Sequence, residues 1–244
     1  MDMKFIAVIP ARYGSSRFPG KPLALIQGKP MIQHVFERAK ESKLIDEVIV
    51  ATDHEDIFNT VEGFGGRAVM TRTDHETGSD RIQEVASKIE GDFFVNIQGD
   101  EPLIKPELID QLISSAKESA DAVITAKVEI KEVNDKADPN VVKVVTDNRG
   151  NALYFSRSQV PYNRSGLQTA KTFKHLGIYG YPKDILAEFV NLPASSLEEL
   201  EMLEQLRLLE NGYKIKVVET TYEAVGVDTP EDIAKVERIL GGQA

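Results

Sequence analysis

Between Pro10 and Leu23 the chain reads PARYGSSRFPGKPL, with Arg12, Arg17 and Lys21 and no acid. The segment follows the apolar run FIAVIP, so it leaves the end of a buried strand. Gly14 and Gly20 let backbone amides approach an anion, while Pro10, Pro19 and Pro22 stiffen the path. Three cations on so constrained a frame suit a phosphate group, with charge-assisted contacts of about 1.5–3 kcal/mol each. The spacing is not that of a Walker loop. Five residues rather than four separate Gly14 from Gly20, and Pro22 stands where a Ser or Thr would follow the lysine.

Two acids are placed to work with such a loop. Asp100 follows Gln98 and Gly99 at the end of the apolar run DFFVNIQGD, and Asp228 precedes a helix start, TPED. Carboxylates at strand and helix ends beside a phosphate loop could hold Mg²⁺, which takes oxygen ligands from protein, phosphate and water. Read from the residues alone, each is equally a turn acid. His34, His54 and His75 have no metal-ligand spacing, and no Ser-His-Asp or Cys-His set is present. There is no cysteine, which excludes disulfides and thiolate chemistry.

The 244 residues are 41% hydrophobic and 28% charged, an ordinary globular composition. The net charge of −10 disfavours nucleic acid as a partner. The basic residues are concentrated early: residues 1–43 carry eight Lys or Arg against three acids. A local positive site on an acidic body suits a small anionic ligand. No apolar run reaches the ~18–20 residues that span a bilayer. The N-terminal MDMKFIAVIPA reads as a strand rather than an export signal, so a cytoplasmic location without membrane association is expected.

The elements that would position these groups alternate. FIAVIP, EVIVATD, GRAVM, DFFVNIQGD and DAVITAKV read as strands. Helical periodicity fills the gaps, with Met31, Ile32, Val35, Phe36 and Ala39 on one face, and Ile82, Val85, Ala86 and Ile89 on another. Pro30 is expected at a helix N1 position, Asp53 at a helix start and Ser79 as an N-cap. A helix follows near 106–119. This order predicts an α/β fold, a mixed, mostly parallel sheet with helices on both faces and ligands at the strand C-terminal edge. The later part changes character, with two strands joined by DNRG, a loop at 163–172, and strands HLGIYGYP and KIKVVE. Such late insertions often build a lid or a dimer surface. SSLEELEMLEQLRLLENG predicts one long helix with a Ser196/Glu199 capping box, and the last helix opens at TPED.

PARYGSSRFPGKPL resembles the nucleotide loop of the CMP-Kdo synthetases, the 3-deoxy-manno-octulosonate cytidylyltransferases. The family's other segments appear in order: ATDHEDI, MTRTDH, NIQGDEP, PNVVKVV, ALYFSR, HLGIYGY, EMLEQLRLLE and GVDTPED, across about residues 6–237. One stretch departs. The family's SGT followed by an acid and Arg is TGSDR here, with a hydroxyl kept at each exchanged position.

The resemblance implies a Rossmann-like nucleotide-diphospho-sugar transferase fold in one domain over 1–244, with roughly 133–182 as a lid or dimerisation region. It implies the reaction CTP + Kdo → CMP-Kdo + diphosphate for lipopolysaccharide biosynthesis, a homodimer, and Mg²⁺ on Asp100 and Asp228. Catalysis would rest on Arg12, Lys21, Asp100 and Asp228. The nucleotide would meet Pro10, Ala11, Arg12, Ser15, Arg17, Lys21, Thr71, Arg72 and Asp100, with Thr71 and Arg72 reading cytosine. The sugar would meet Arg81, Gln98, Arg157, His175, Tyr179, Tyr181, Glu204 and Gln205. Two other readings stay open: the same transfer to an amino-substituted Kdo, and a non-catalytic nucleotide-binding module. The intact acid pair and basic loop argue against the second.

Overall fold

The computed structural model describes residues 3–14, 18–167 and 170–242. Ser15 and Arg17 lie outside them. The chain divides into two compact units, residues 1–113 with 224–244, and residues 114–223.

The first unit is built on β1 (Phe5–Ala11), a short hairpin of β2 (Leu25–Ile26) and β3 (Lys29–Pro30), α1 (Met31–Lys40), β4 (Glu47–Thr52), α2 (Glu55–Gly63), β5 (Arg67–Met70), α3 (Gly78–Lys88) and β6 (Phe93–Asn96). Helix α4 (Pro106–Glu118) follows. The strands pair in parallel in the order β6-β1-β4-β5. Phe5 to Ile9 and Phe93 to Val95 are buried, because apolar side chains point from both faces of these strands. The apolar stripes of α1 and α3 are buried as their periodicity predicts, except that Ile89 is half-buried at the C-cap of α3. Parallel pairing brings the C-terminal ends of β1, β4 and β5 to one edge: Ala11 sits opposite Thr52, and Thr52 opposite Met70.

The second unit contains β7 (Val123–Glu129), α5 (Val133–Ala137), β8 (Lys143–Thr146), β9 (Ala152–Ser156), β10 (Phe173–Pro182), α6 (Lys183–Phe189), α7 (Ser196–Glu201), α8 (Gln205–Glu210) and β11 (Ile215–Thr220). Strand β7 lies between antiparallel β10 and parallel β11, and β8 pairs with β9 and β10. The chain then closes with α9 (Pro230–Leu240) in the first unit. The mixed, mostly parallel α/β architecture is as expected. No helix among the described residues is long and apolar enough to cross a membrane.

Several local expectations shift. Pro30 is the N-cap of α1 rather than its N1 residue. The cap of α3 is Thr77, paired with Asp80 in a reciprocal box, and Ser79 is buried inside the helix. The box at α7 is likewise one residue earlier, Ser195 with Glu198. The single helix expected over 195–212 is two, because Met202 adopts the left-handed conformation, φ 52°. The break has an identifiable cause. The Glu201 carboxylate accepts from Ser156 Oγ at 2.6 Å and Arg157 N at 2.9 Å, and Arg157 Nε donates to the Glu201 carbonyl at 2.7 Å. A carbonyl taken by a guanidinium no longer needs a helical partner.

Candidate active site

The loop after β1 closes on itself. Gly20 N–H donates to Tyr13 O at 3.0 Å, and Gly20 takes φ 69°, with the Tyr13 ring packed over it. Tyr13 stacks on His54, ring centroids 4.1 Å apart, and His54 caps α2 by accepting from Asp56 N. Lys21 then enters a short 3₁₀ turn. Its ammonium donates to Asp100 Oδ2 at 2.7 Å and to the Val227 carbonyl at 2.8 Å, and it stands 3.7 Å from Asp228 Oδ1. Backbone contacts fix this meeting. Val227 N–H donates to Asp100 O at 2.9 Å, and Asp228 N–H donates to Asp232 in the cap of α9. Gly99 lies so close to the Pro10 carbonyl that a Cβ there would approach it to 2.7 Å.

Lys21, Asp100 and Asp228, 79 and 207 positions from the lysine, thus converge at one point with Pro10 beside them. Arg12 is exposed on the loop. Two carboxylates and a carbonyl already surround one cation, the lysine's, and they are hard oxygen donors of the kind Mg²⁺ prefers. Among the described residues no group of three or more His, Cys, Asp or Glu forms a metal cluster. Asp100, Asp228 and the Val227 carbonyl could supply part of an oxygen shell for Mg²⁺, with substrate oxygens and water for the rest. That division fits the donors present.

A second cluster lies at the ends of β4 and β5. Thr71 is buried, and its amide and hydroxyl both donate to Thr52 O, at 2.8 and 3.1 Å. Arg81 is 4% exposed. It donates to Asp53 at 2.7 Å, to the Thr71 hydroxyl and to the Arg72 carbonyl at 3.3 Å. Asp53 thus serves Arg81 rather than opening a helix. Arg72 is exposed and paired with Asp74. Its amide donates to Glu84 at 2.9 Å, and Glu84 also meets His75 and Lys88, each at 2.5 Å. The Glu84 carboxyl is held down at about 2, burial being outweighed by hydrogen bonds from Lys88, Arg72 N–H and His75.

In the second unit an aromatic ladder runs Phe155, His175, Tyr179, Tyr181, Phe189, with centroids 4.9–6.1 Å apart. Burial pushes His175 down to about 3, so its imidazole is neutral at physiological pH, and burial also raises the Tyr179 phenol. Gln205 is buried and Glu204 half-buried, so the expected pair does not lie on an exposed helix face. Arg157 donates to the carbonyls of Glu201, Pro139 and Met202 at 2.7, 3.0 and 3.3 Å. Gln98, in the first unit, is half-buried just before Gly99 and Asp100.

A family model described as cytidylyltransferase matches residues 6–215. The chain is 53% identical to the 3-deoxy-manno-octulosonate cytidylyltransferase of Thermodesulfovibrio yellowstonii over 98% of each chain. It is also 53% identical to the protein of that name from Geotalea daltonii, over 96% of this chain and 97% of the other. The solved structure of CMP:2-keto-3-deoxy-manno-octonic acid synthetase complexed with CTP superposes with a TM-score of 0.94 at 46% identity, covering 99% of this chain and 100% of that one. The chain belongs to the 3-deoxy-manno-octulosonate cytidylyltransferase family.

Within this cytidylyltransferase several residues that fix backbone next to the expected site residues carry little sequence signal. Glu84 reads as one more acid on a helix, yet it fixes the backbone at Arg72. Lys143 is fully buried and donates to the carbonyls of Val141, Arg157 and Asp138 at 2.5, 2.6 and 2.8 Å. Its position inside an apolar VVKVV run was the available clue, because a lysine there must find buried acceptors.

Proposed function

We propose that this chain transfers the cytidylyl group of CTP to Kdo, releasing diphosphate and giving CMP-Kdo for lipopolysaccharide biosynthesis. The observation that carries this reading is the meeting of Lys21, Asp100 and Asp228 beside the basic loop at the end of β1. The anomeric hydroxyl of the sugar attacks the α-phosphorus in line, and the O–P bond to diphosphate breaks. No protein nucleophile is required, so the residues act by position and charge. Arg12, Arg17 and Lys21 oppose the charge of the triphosphate and of the leaving diphosphate, with Pro10, Ala11 and Ser15 offering the loop's polar backbone and hydroxyl. Thr71 and Arg72 meet the base, and Arg81 holds them in place through the Thr71 hydroxyl and Arg72 carbonyl.

Asp100 and Asp228 would hold Mg²⁺, which when bound supplies positive charge to the phosphate and lowers the pKa of the attacking hydroxyl. Gln98, His175, Tyr179, Tyr181, Glu204 and Gln205 take the sugar. Arg157 keeps the 201–202 turn that precedes Glu204, and its positive charge suits the sugar carboxylate. The region 133–182 serves as a lid or in dimerisation, within a cytoplasmic homodimer.

The test is diphosphate release with Mg²⁺ and each of the four nucleoside triphosphates, with and without Kdo. Release only with CTP and Kdo together is expected. CTP binding without release would redirect the assay to the 8-amino analogue, and silence there too would favour a non-catalytic module.

A further inference from the structure

Strand β10 is interrupted where it faces β7. Leu176 pairs with Ala126 but Tyr179 pairs with Thr125, so the register shifts across Gly177 and Ile178. A bulge re-aims side chains and takes backbone groups out of the ladder. Here the carbonyls of Leu176 and Ile178 both turn to one side chain: Thr125 Oγ lies 3.2 Å from the first and 2.8 Å from the second. Thr125 is fully buried, on a strand whose neighbours Ile124 and Ala126 are apolar, so its hydroxyl depends on these partners. The same oxygen lies 2.9 Å from His175 Nε2.

Counting protons decides the direction of that contact. A hydroxyl has one proton and two lone pairs, and a carbonyl can only accept. Were the proton given to His175, the Thr125 oxygen would face the Ile178 oxygen at 2.8 Å with no hydrogen between them. The proton therefore goes to the carbonyl side, and His175 Nε2 must bring its own. We infer that Thr125 is a positioning residue that fixes His175 as the Nε2–H tautomer, leaving Nδ1 as a hydrogen-bond acceptor for a substrate hydroxyl. The inference rests on the reading above in which His175 contacts the sugar, and deepens it. His175 recognises a donor, one of the hydroxyls of Kdo, and not the sugar's carboxylate, which has no proton to give. The ring keeps this role because burial keeps it neutral, and Phe155 and Tyr179 pack against it.

The test combines imidazole ¹⁵N–¹H correlation spectra with steady-state kinetics. There are four histidines, and loss of one signal set in His175→Gln assigns the spectrum. The wild type should show the Nε2–H pattern for His175. Thr125→Val should lose the fixed tautomer and raise KM for Kdo about 5- to 10-fold, as for one lost hydrogen bond, with KM for CTP unchanged. Thr125→Ser should restore both. An Nδ1–H pattern in the wild type would overturn the inference even if Thr125→Val failed to fold. A normal KM for Kdo in His175→Ala would overturn its substrate half by removing the sugar contact, and the tautomer measurement separates the two failures.

Discussion

Gly99→Ala should separate packing from chemistry at this site. The added Cβ would stand 2.7 Å from the Pro10 carbonyl oxygen and 3.6 Å from Ile9 Cγ2. The first contact is with backbone at the end of a buried strand, so no rotamer change relieves it. Either β1 or the Gly99–Asp100 turn must move by roughly 0.5 Å, an overpacking cost of about 1–3 kcal/mol. The turn is the softer side, and Asp100 moves with it, away from a 2.7 Å contact with Lys21 and a 2.9 Å contact with Val227 N–H. A 1 Å misplacement costs about a hundredfold in rate, so half of that should lower kcat by about tenfold. Thermal melting should fall by roughly 3–10 °C. Gly226→Ala is the control. Its Cβ would meet the Asp100 carbonyl at 3.9 Å, an ordinary contact, and kcat should stay within about twofold. Diphosphate release at saturating CTP, Kdo and Mg²⁺ reads both variants. Wild-type melting and turnover in Gly99→Ala, or equal damage in Gly226→Ala, would show that the Gly99–Pro10 contact does not hold Asp100 in place.

Lys21→Met removes the ammonium that donates to Asp100 and stands 3.7 Å from Asp228. Turnover should drop by about 10²–10³, while added Mg²⁺ should raise the melting temperature more than it does in the wild type. Glu84 has its pKa depressed to about 2, so its stabilising contribution is complete above the normal glutamate range and is lost as pH falls toward 2. Melting of the wild type between pH 5 and 2.5 should therefore fall more steeply than that of Glu84→Gln, by at most about 3 kcal/mol and about half that once screening of the exposed Lys88 partner is allowed for. Lys143→Met leaves three half-buried carbonyls without the lysine's donor, and its melting temperature should fall by roughly 10 °C, read by circular dichroism.

What was legible follows from what leaves a periodic or compositional trace. Strands β1, β4 and β6 are covered on both faces, and continuous apolar runs record that directly. Asp100 and Asp228 stood out because each ends an apolar segment or precedes a helix. Their convergence on Lys21 did not, since it depends on the Val227–Asp100 backbone contact between distant segments. The short elements α5 and α6 and the β2–β3 hairpin leave too few residues to establish a period. In the 195–212 segment the helical period continues unbroken through Met202, while the break is imposed by Ser156 and Arg157 from β9 and its end. Periodicity within a segment cannot register a partner some 45 residues away.

The positioning residues share a deeper reason for being hard to read. Lys143, Arg157, Thr125 and Lys21 all donate to backbone carbonyls, a group that every residue carries, so no partner residue type marks the pairing. Those carbonyls are available because regular structure stops there: at the bulge in β10, at the break after α7, and in the loop before α9. An irregular backbone would be costly if its carbonyls were buried and unpaired. A donor side chain removes that cost and gains a fixed direction in return. The irregularities and the donors facing them are therefore one device, and His175, Glu204 and Asp228, which the proposed function places at the site, each stand within a few residues of such a point.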